Sequence, residues 1–310
     1  MPHHARRHAA AFCQLTDQHV RSRSSGVDLD TNVKPYRCAR YSNLPEERLV
    51  TIDIHAHVTD DLDARLTADS DAGIDLTVLL STRVHPERAS SVEQVQAEFR
   101  SLQNVVAGEA VDPSEFAAPA MELRAALDAH PGRVVGMAAA PLTLERRTLV
   151  EFVDDQLQHP SMVGIGELTC APDAGQTIEP VVQLADDHGG LPVLVHGFAP
   201  NTEGDLRSYA AIASRHPRVP IIIGAFGGLN SMLAIELATD VSNLYIDISS
   251  ALQIFVLRAA AGRIPSKLLF GSNTPYGLPA ASLKTVQAAI TDRGALTAVL
   301  HDNAAGLMRR

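Results

Sequence analysis

The chain has 310 residues, ample for one large α/β domain or two small ones, and a formal net charge of -10 from 36 acids and 26 bases. Interspersed charges of both signs argue against a nucleic-acid partner and against an anionic membrane surface, and no apolar stretch approaches the roughly 18 residues that span a bilayer. Cys13, Cys38 and Cys170 are odd in number and scattered, so no disulfide framework is expected and a reducing, cytoplasmic setting fits.

In chain order, residues 1–48 read as a polar, poorly ordered extension without sustained periodicity. Its Arg6-Arg7 pair is followed by too short an apolar patch for a secretory signal. From Leu49 short apolar runs of β type alternate with amphipathic segments. The runs are LVTIDIHAHV, LTVLLST, VVGMAAAP, VGIGEL, PVLVHG, PIIIGAFGG, LYIDISS and LLFGSNTP. Between them SVEQVQAEFRSLQNVV, SEFAAPAMELRAALDAH, LTLERRTLVEFVDDQL and SMLAIELATDV carry apolar residues at helical spacings of three and four. Alternating strands and helices imply a parallel sheet with right-handed crossovers, and eight such units over residues 49–310 predict an α/β fold of the (β/α)₈ TIM-barrel type. A doubly wound open sheet is the rival, disfavoured because the first strand ends in histidines rather than a glycine-rich phosphate loop.

A TIM barrel builds its active site at the carboxyl ends of its strands, and polar residues concentrate there. His55 and His57 end the first strand; two residues apart on a strand, they point to one side and can grip one metal ion. Thr82, Arg83 and His85 follow the second strand, Glu167 ends the fourth, His196 the fifth, Ser249 and Ser250 the seventh, and Asn273 and Tyr276 follow the eighth. His130, His159 and His216 precede prolines at helix ends, where a structural role is expected, and Cys170 reads as a small packing residue.

From Leu49 onward the chain resembles the amidohydrolase superfamily, in particular its small metal-dependent hydrolases and decarboxylases. IDIHAHV looks like the first-strand metal motif, LRAALDAHPGRVVGMAAAPL like a helix and third strand, and PVLVHG like the fifth-strand histidine. RHPRVPIIIGAFGG, KLLFGSNTPYG and LHDNAAGLM are similar to the sixth strand, the eighth strand and the closing helix. Two residues depart from the pattern. Ala225 stands where the family carries a sixth-strand histidine, which binds a second metal or polarises substrate. Asn273 replaces an eighth-strand aspartate to which the family assigns metal ligation and proton abstraction from water. Asparagine is neutral and takes no proton near neutral pH.

The resemblance implies an enzyme that holds one divalent metal ion, zinc-like, on His55, His57, His196 and Glu167, with Glu167 and Asn273 in catalytic positions. Arg83, His85 and Tyr276 are candidates for binding a small-molecule substrate. The expected reaction is C–N or C–O hydrolysis of a small organic compound by metal-activated water. The alternatives are a non-hydrolytic relative (lyase, decarboxylase or cyclase) or a metal-poor binding or scaffold protein. A homo-oligomer stays open as a partner state. Deleting residues 1–48 is expected to leave the fold intact, shifting the melting temperature by no more than the few degrees that about 1 kcal/mol produces in a domain of this size. A larger drop in a thermal melt would make the extension part of the core.

Overall fold

Eight β-rich runs of the sequence become eight parallel strands, paired in chain order in one sheet. The computed structural model describes residues 50–107 and 112–308; the expected extension at 1–48 lies outside them. The strands are β1 (Ile52–His57), β2 (Leu76–Leu80), β3 (Val134–Ala138), β4 (Met162–Leu168), β5 (Val193–Val195), β6 (Ile221–Ile223), β7 (Leu244–Asp247) and β8 (Leu268–Leu269). Strands covered on both faces read as continuous apolar runs, as Ile221–Ile223 does.

The intervening helices are α1 (Leu62–Ala72), α2 (Val92–Val106), α3 (Ala117–Ala129), α4 (Arg146–Leu157), α5 (Glu179–Asp187), α6 (Glu203–Arg215), α7 (Ser231–Asp240), α8 (Ile254–Arg263) and α9 (Pro279–Ala289), followed by α10 (Arg293–Thr297) and α11 (Asn303–Met308). Local chemistry sets their ends. Ser91 caps α2 by accepting from the Gln94 amide, and Thr202 and Asp205 form a reciprocal capping box on α6. Helix α1 was not among the helices expected from periodicity, because its apolar stripe is thin: Leu62 and Leu66 are buried together with Asp69. Among the described residues no helix is long and apolar enough to cross a membrane.

The barrel interior is filled by Ile52, Ile54, Leu76, Val78, Leu80, Val135, Met137, Leu194, Ile222 and Leu269. Ala304, Ala305 and Leu307 of α11 pack into this cluster and stop the barrel at the amino ends of the strands. His301 Nδ1 donates to the Val50 carbonyl beside them, at 2.7 Å. A larger cluster outside the sheet joins β3 to β8 with their helices, and a smaller one packs Ala56, Leu79 and Val134 against α1 and α3.

One irregularity decides what faces the interior. Ile52 and Ile54 belong to the interior cluster, yet Ala56 belongs to the outer one. Strict alternation would put residues 52, 54 and 56 on the same face. The register of β1 against β2 shifts between Asp53 and Ala56, and this bulge changes the phase of the strand so that His55 and His57 follow Ile54 to the inside. Asp53 lies on the other face, where Arg65 of α1 reaches its Oδ2 at 3.4 Å. Its Oδ1 accepts from the His55 amide at 3.2 Å and the Ser272 amide at 2.9 Å. Burial pushes the Asp53 carboxyl up to about 6, against the pull of Arg65.

The sheet closes along the same strand. Beyond β8, the Ile54 amide donates to the Phe270 carbonyl, the Asn273 amide to His55 and the His57 amide to Thr274, at 2.9, 2.7 and 2.8 Å. Asp53→Ala would therefore leave the His55 and Ser272 amides without this acceptor and Arg65 with Asp69 alone. A loss of about 2–5 kcal/mol is expected, the cost of two buried donors left without an acceptor, read as a fall in melting temperature of several degrees. An unchanged melt would mean that the bulge needs no carboxylate to hold it.

Candidate metal centre and cavity

His55, His57 and Glu167 each present one donor atom within 4.8 Å of the others. His55 Nε2 and His57 Nε2 lie 3.7 and 3.9 Å from Glu167 Oε2. The two rings meet edge to face at 5.4 Å between centroids. The bulge of β1 supplies the histidines, and the end of β4 supplies the glutamate. Gly224, after β6, leaves room for the group: a Cβ there would approach Glu167 Oε1 at 3.3 Å and the Val195 carbonyl at 2.9 Å.

The far side of His55 is fixed by a residue that sequence reasoning did not single out. Asp247, the last residue of β7, accepts from His55 Nδ1 at 2.7 Å. Its Oδ2 also accepts from the Ser249 hydroxyl at 2.5 Å and from the Ala225 amide at 3.0 Å. Asp247 is wholly buried. The available signal was an acid inside the apolar run LYIDISS, where only a paired carboxylate is tolerated. Gly271 makes the pairing possible, because a Cβ there would sit 2.2 Å from Asp247 Oδ1 and 3.0 Å from the His55 Cβ. Ala225 thus contributes its backbone amide to the group.

The charges of this cluster are strongly coupled. Burial disfavours a charged His55, but Asp247 and Glu167 outweigh it and raise its pKa to about 10. Burial, with His55 beside it, lowers His57 to about 4. Burial likewise opposes ionisation of Glu167, yet His196 and His55 hold its carboxyl well below the usual carboxylate range. Without a metal, the group is therefore a protonated His55, a neutral His57 and an ionised Glu167 at neutral pH.

His196 turns Nδ1 to Glu167 Oε1 at 2.9 Å and Nε2 towards the Ala199 carbonyl at 3.4 Å; it adjoins the three-residue group rather than completing it. Asn273 sits in left-handed backbone, φ 53°, with its side-chain amide 3.4 Å from the Ser250 hydroxyl. The Tyr276 ring stands edge to face on His57 at 5.8 Å, and burial keeps its hydroxyl protonated. His196, Asn273, Tyr276, Arg83, His57 and Glu167 all line one cavity of about 510 Å³ at the carboxyl ends of the strands. His85 does not. Its amide donates to Glu98 and its Nδ1 pairs with Glu87 at 3.0 Å. With Asp60 these form a second His and carboxylate group, but Asp60 is already gripped by the Arg88 guanidinium.

The donor set fits one divalent ion. Two ligands that each hold an ion at about 2.0–2.1 Å can be no more than about 4.2 Å apart; the two histidine-to-Glu167 distances, 3.7 and 3.9 Å, fall inside that limit, and all three donors lie within 4.8 Å of one another. His55 Nε2 is buried and has no hydrogen-bond partner, which is costly for a polar atom unless something occupies the position it faces. Asp247 on the opposite nitrogen is the arrangement that fixes a ligating imidazole's tautomer.

Barrel, strand-end cavity and His-Glu donor set together define a (β/α)₈ protein with a candidate metal site. The family described as Amidohydrolase matches residues 52–310, and the chain belongs to it. No curated protein matches the chain. Among solved structures it is similar to 2,6-dihydroxybenzoate decarboxylase from Rhizobium, with a TM-score of 0.60 and 14% identity over 84% of this chain and 99% of that one. It is also similar to 5-carboxyvanillate decarboxylase from Sphingomonas paucimobilis, with a TM-score of 0.57 and 15% identity over 84% and 99%. A third is dihydroxybenzoic acid decarboxylase from Polaromonas sp. JS666, with bound manganese and the inhibitor 2-nitroresorcinol, at a TM-score of 0.58 and 14% identity over 84% and 97%. At these identities the likeness establishes the fold.

Asp247→Asn would keep the shape of the His55 partner and remove its charge. Metal affinity is expected to fall by about 10- to 100-fold, as for other outer partners of ligating histidines, in competition with a chelator. Unchanged affinity would show that His55 is no ligand.

Proposed function

We propose that this amidohydrolase-family chain is a metal-dependent lyase that removes CO₂ from a small organic acid, rather than a hydrolase. One observation carries the reading: among the described residues Glu167 is the sole carboxylate lining the cavity, and both of its oxygens face imidazoles. Hydrolysis by the family's mechanism needs a carboxylate to take a proton from water, and Asn273 stands in that place. Loss of such a base costs on the order of 10²–10⁴ in rate. Decarboxylation has no attacking water. The similarity to three decarboxylases agrees with this choice.

His55, His57 and Glu167 would hold the ion. Two imidazoles and a carboxylate suit zinc and also manganese, the metal bound in the Polaromonas protein. When bound, the ion would orient the acid and draw electron density from the reacting end. Loading requires His55 to give up its Nε2 proton, while His57 is already neutral. As the bond from carbon to the carboxylate breaks, its electron pair stays on carbon, CO₂ leaves, and carbon takes a proton. His196 lines the cavity and is steadied by Glu167, so it is placed to deliver that proton and regain it from solvent. Tyr276 and Asn273 flank the acid.

Elemental analysis of the full chain purified without chelator is expected to give about one equivalent of a divalent transition metal, the stoichiometry that one three-ligand site allows. No bound metal after supplementation would favour a scaffold role. The loaded protein should release CO₂ from members of a panel of aromatic and aliphatic acids and leave matched esters, lactones and amides intact; the reverse result restores the hydrolase. His196→Gln is expected to lower turnover by about 10²-fold or more with metal content unchanged. Loss of metal in that variant would make His196 a ligand instead.

A further inference from the structure

The cavity runs well past the donor group. Phe99, Leu102 and Val106 of α2 line it, together with Phe116 and Leu142. Periodicity gives α2 an apolar stripe that ought to face the core. In the folded chain Val106 is its single buried residue, and the Phe99 side chain, 54% exposed, lies against the cavity. About 510 Å³ falls in the range of pockets that enclose drug-sized ligands. The wing built by α2 is thus a wall for an apolar body.

Arg83, in the loop after β2, is the sole Lys or Arg among the described residues lining the cavity. Its guanidinium lies over the Phe116 ring at 4.6 Å, and Nη1 is 3.5 Å from Glu115. The Arg83 side chain is 17% exposed, whereas Glu115 is 54% exposed, so that pair is loosely held and solvent-screened. The guanidinium makes no hydrogen bond to the described residues, although it carries five donors in a planar fork that matches a carboxylate. A largely enclosed Arg, held among the described residues by one screened ion pair, faces a space that an anion would complete.

We propose that the cavity selects a two-headed acid: a reacting carboxylate at the His55, His57 and Glu167 end, an apolar body along Phe99, Leu102 and Phe116, and a second carboxylate on Arg83. The assignment rests on the reading that this cavity holds the substrate. It narrows the substrate class to elongated dianions with an apolar middle. His55, His57 and Glu167 are set by strands of the barrel and the Arg83 guanidinium is braced over Phe116, so one ligand length should win.

The test is equilibrium binding, by calorimetry on the metal-supplemented full chain, of straight-chain α,ω-alkanedioates from succinate to sebacate and of the monomethyl ester of each. The two members of a pair differ by one charge at nearly equal length. The parent is expected to prefer the dioate by about tenfold or more at an optimal length, the value of a charge-assisted contact. In Arg83→Gln that ratio should fall towards one, and in Arg83→Lys, which keeps the charge without the fork, it should be intermediate. Phe99→Ala should weaken both members of each pair alike and leave the ratio standing. A ratio near one in the parent, or one that survives Arg83→Gln, overturns the proposal. The two readings fail separately: a dioate preference that depends on Arg83, with no CO₂ released from any acid of the panel above, would sink the lyase reading and leave this one, while CO₂ release from that panel with no preference for a second charge would do the opposite.

Discussion

One extra residue in the ladder of β1 decides whether this barrel has a site at all. Without the shift between Asp53 and Ala56, the phase set by Ile52 and Ile54 would turn His55 and His57 towards the helices. The shift is held by a buried carboxylate that answers three donors at once: the His55 amide, the Ser272 amide and Arg65. Hydrogen bonds from the segment after β8 close the barrel against the same strand, so the seam of the sheet and the geometry of the donor group are one object.

From that seam the site is built outward in layers. Asp247 holds His55 from behind; Ser249 and the Ala225 amide hold Asp247. Glu167 faces both histidines and carries His196 on its other oxygen. Left-handed backbone recurs at Ala225, Ser250 and Asn273, after β6, β7 and β8. Such conformations cost energy and persist where the surroundings impose them, commonly around functional sites. Asn tolerates that conformation better than most residues. At 273 it therefore satisfies the backbone while withholding the charge that aspartate would bring.

Much of the fold was legible because each strand of a parallel barrel must be apolar on both faces, and the eight apolar runs each contain a strand. The shortness of β5, β6 and β8 was not legible, since PVLVHG and LLFGSNTP read as apolar well beyond their paired residues. His55, His57 and Glu167 could be nominated from strand ends alone. The same alternation rule would have placed Asp53 beside the histidines, and only the bulge puts it on the other face. Asp247 stayed hidden because its meaning lies in a bond to a residue 192 positions away. Helix α2 was legible as a helix but not as a cavity wall, because amphipathicity records that a face is apolar and not what covers it.

The loose attachment of α2 has a consequence for how this protein can change. The helix belongs to a long excursion between β2 and β3, and it commits one side chain, Val106, to the buried interior. Substitutions at Phe99 or Leu102 disturb neither the seam at β1 nor the packing that stops the barrel at its other end. The apolar wall of the cavity and the packing that holds the barrel therefore use different residues. A lineage with this architecture can reshape the apolar wall of the cavity by editing a single surface helix, with little of the stability loss that ordinarily accompanies change in a core.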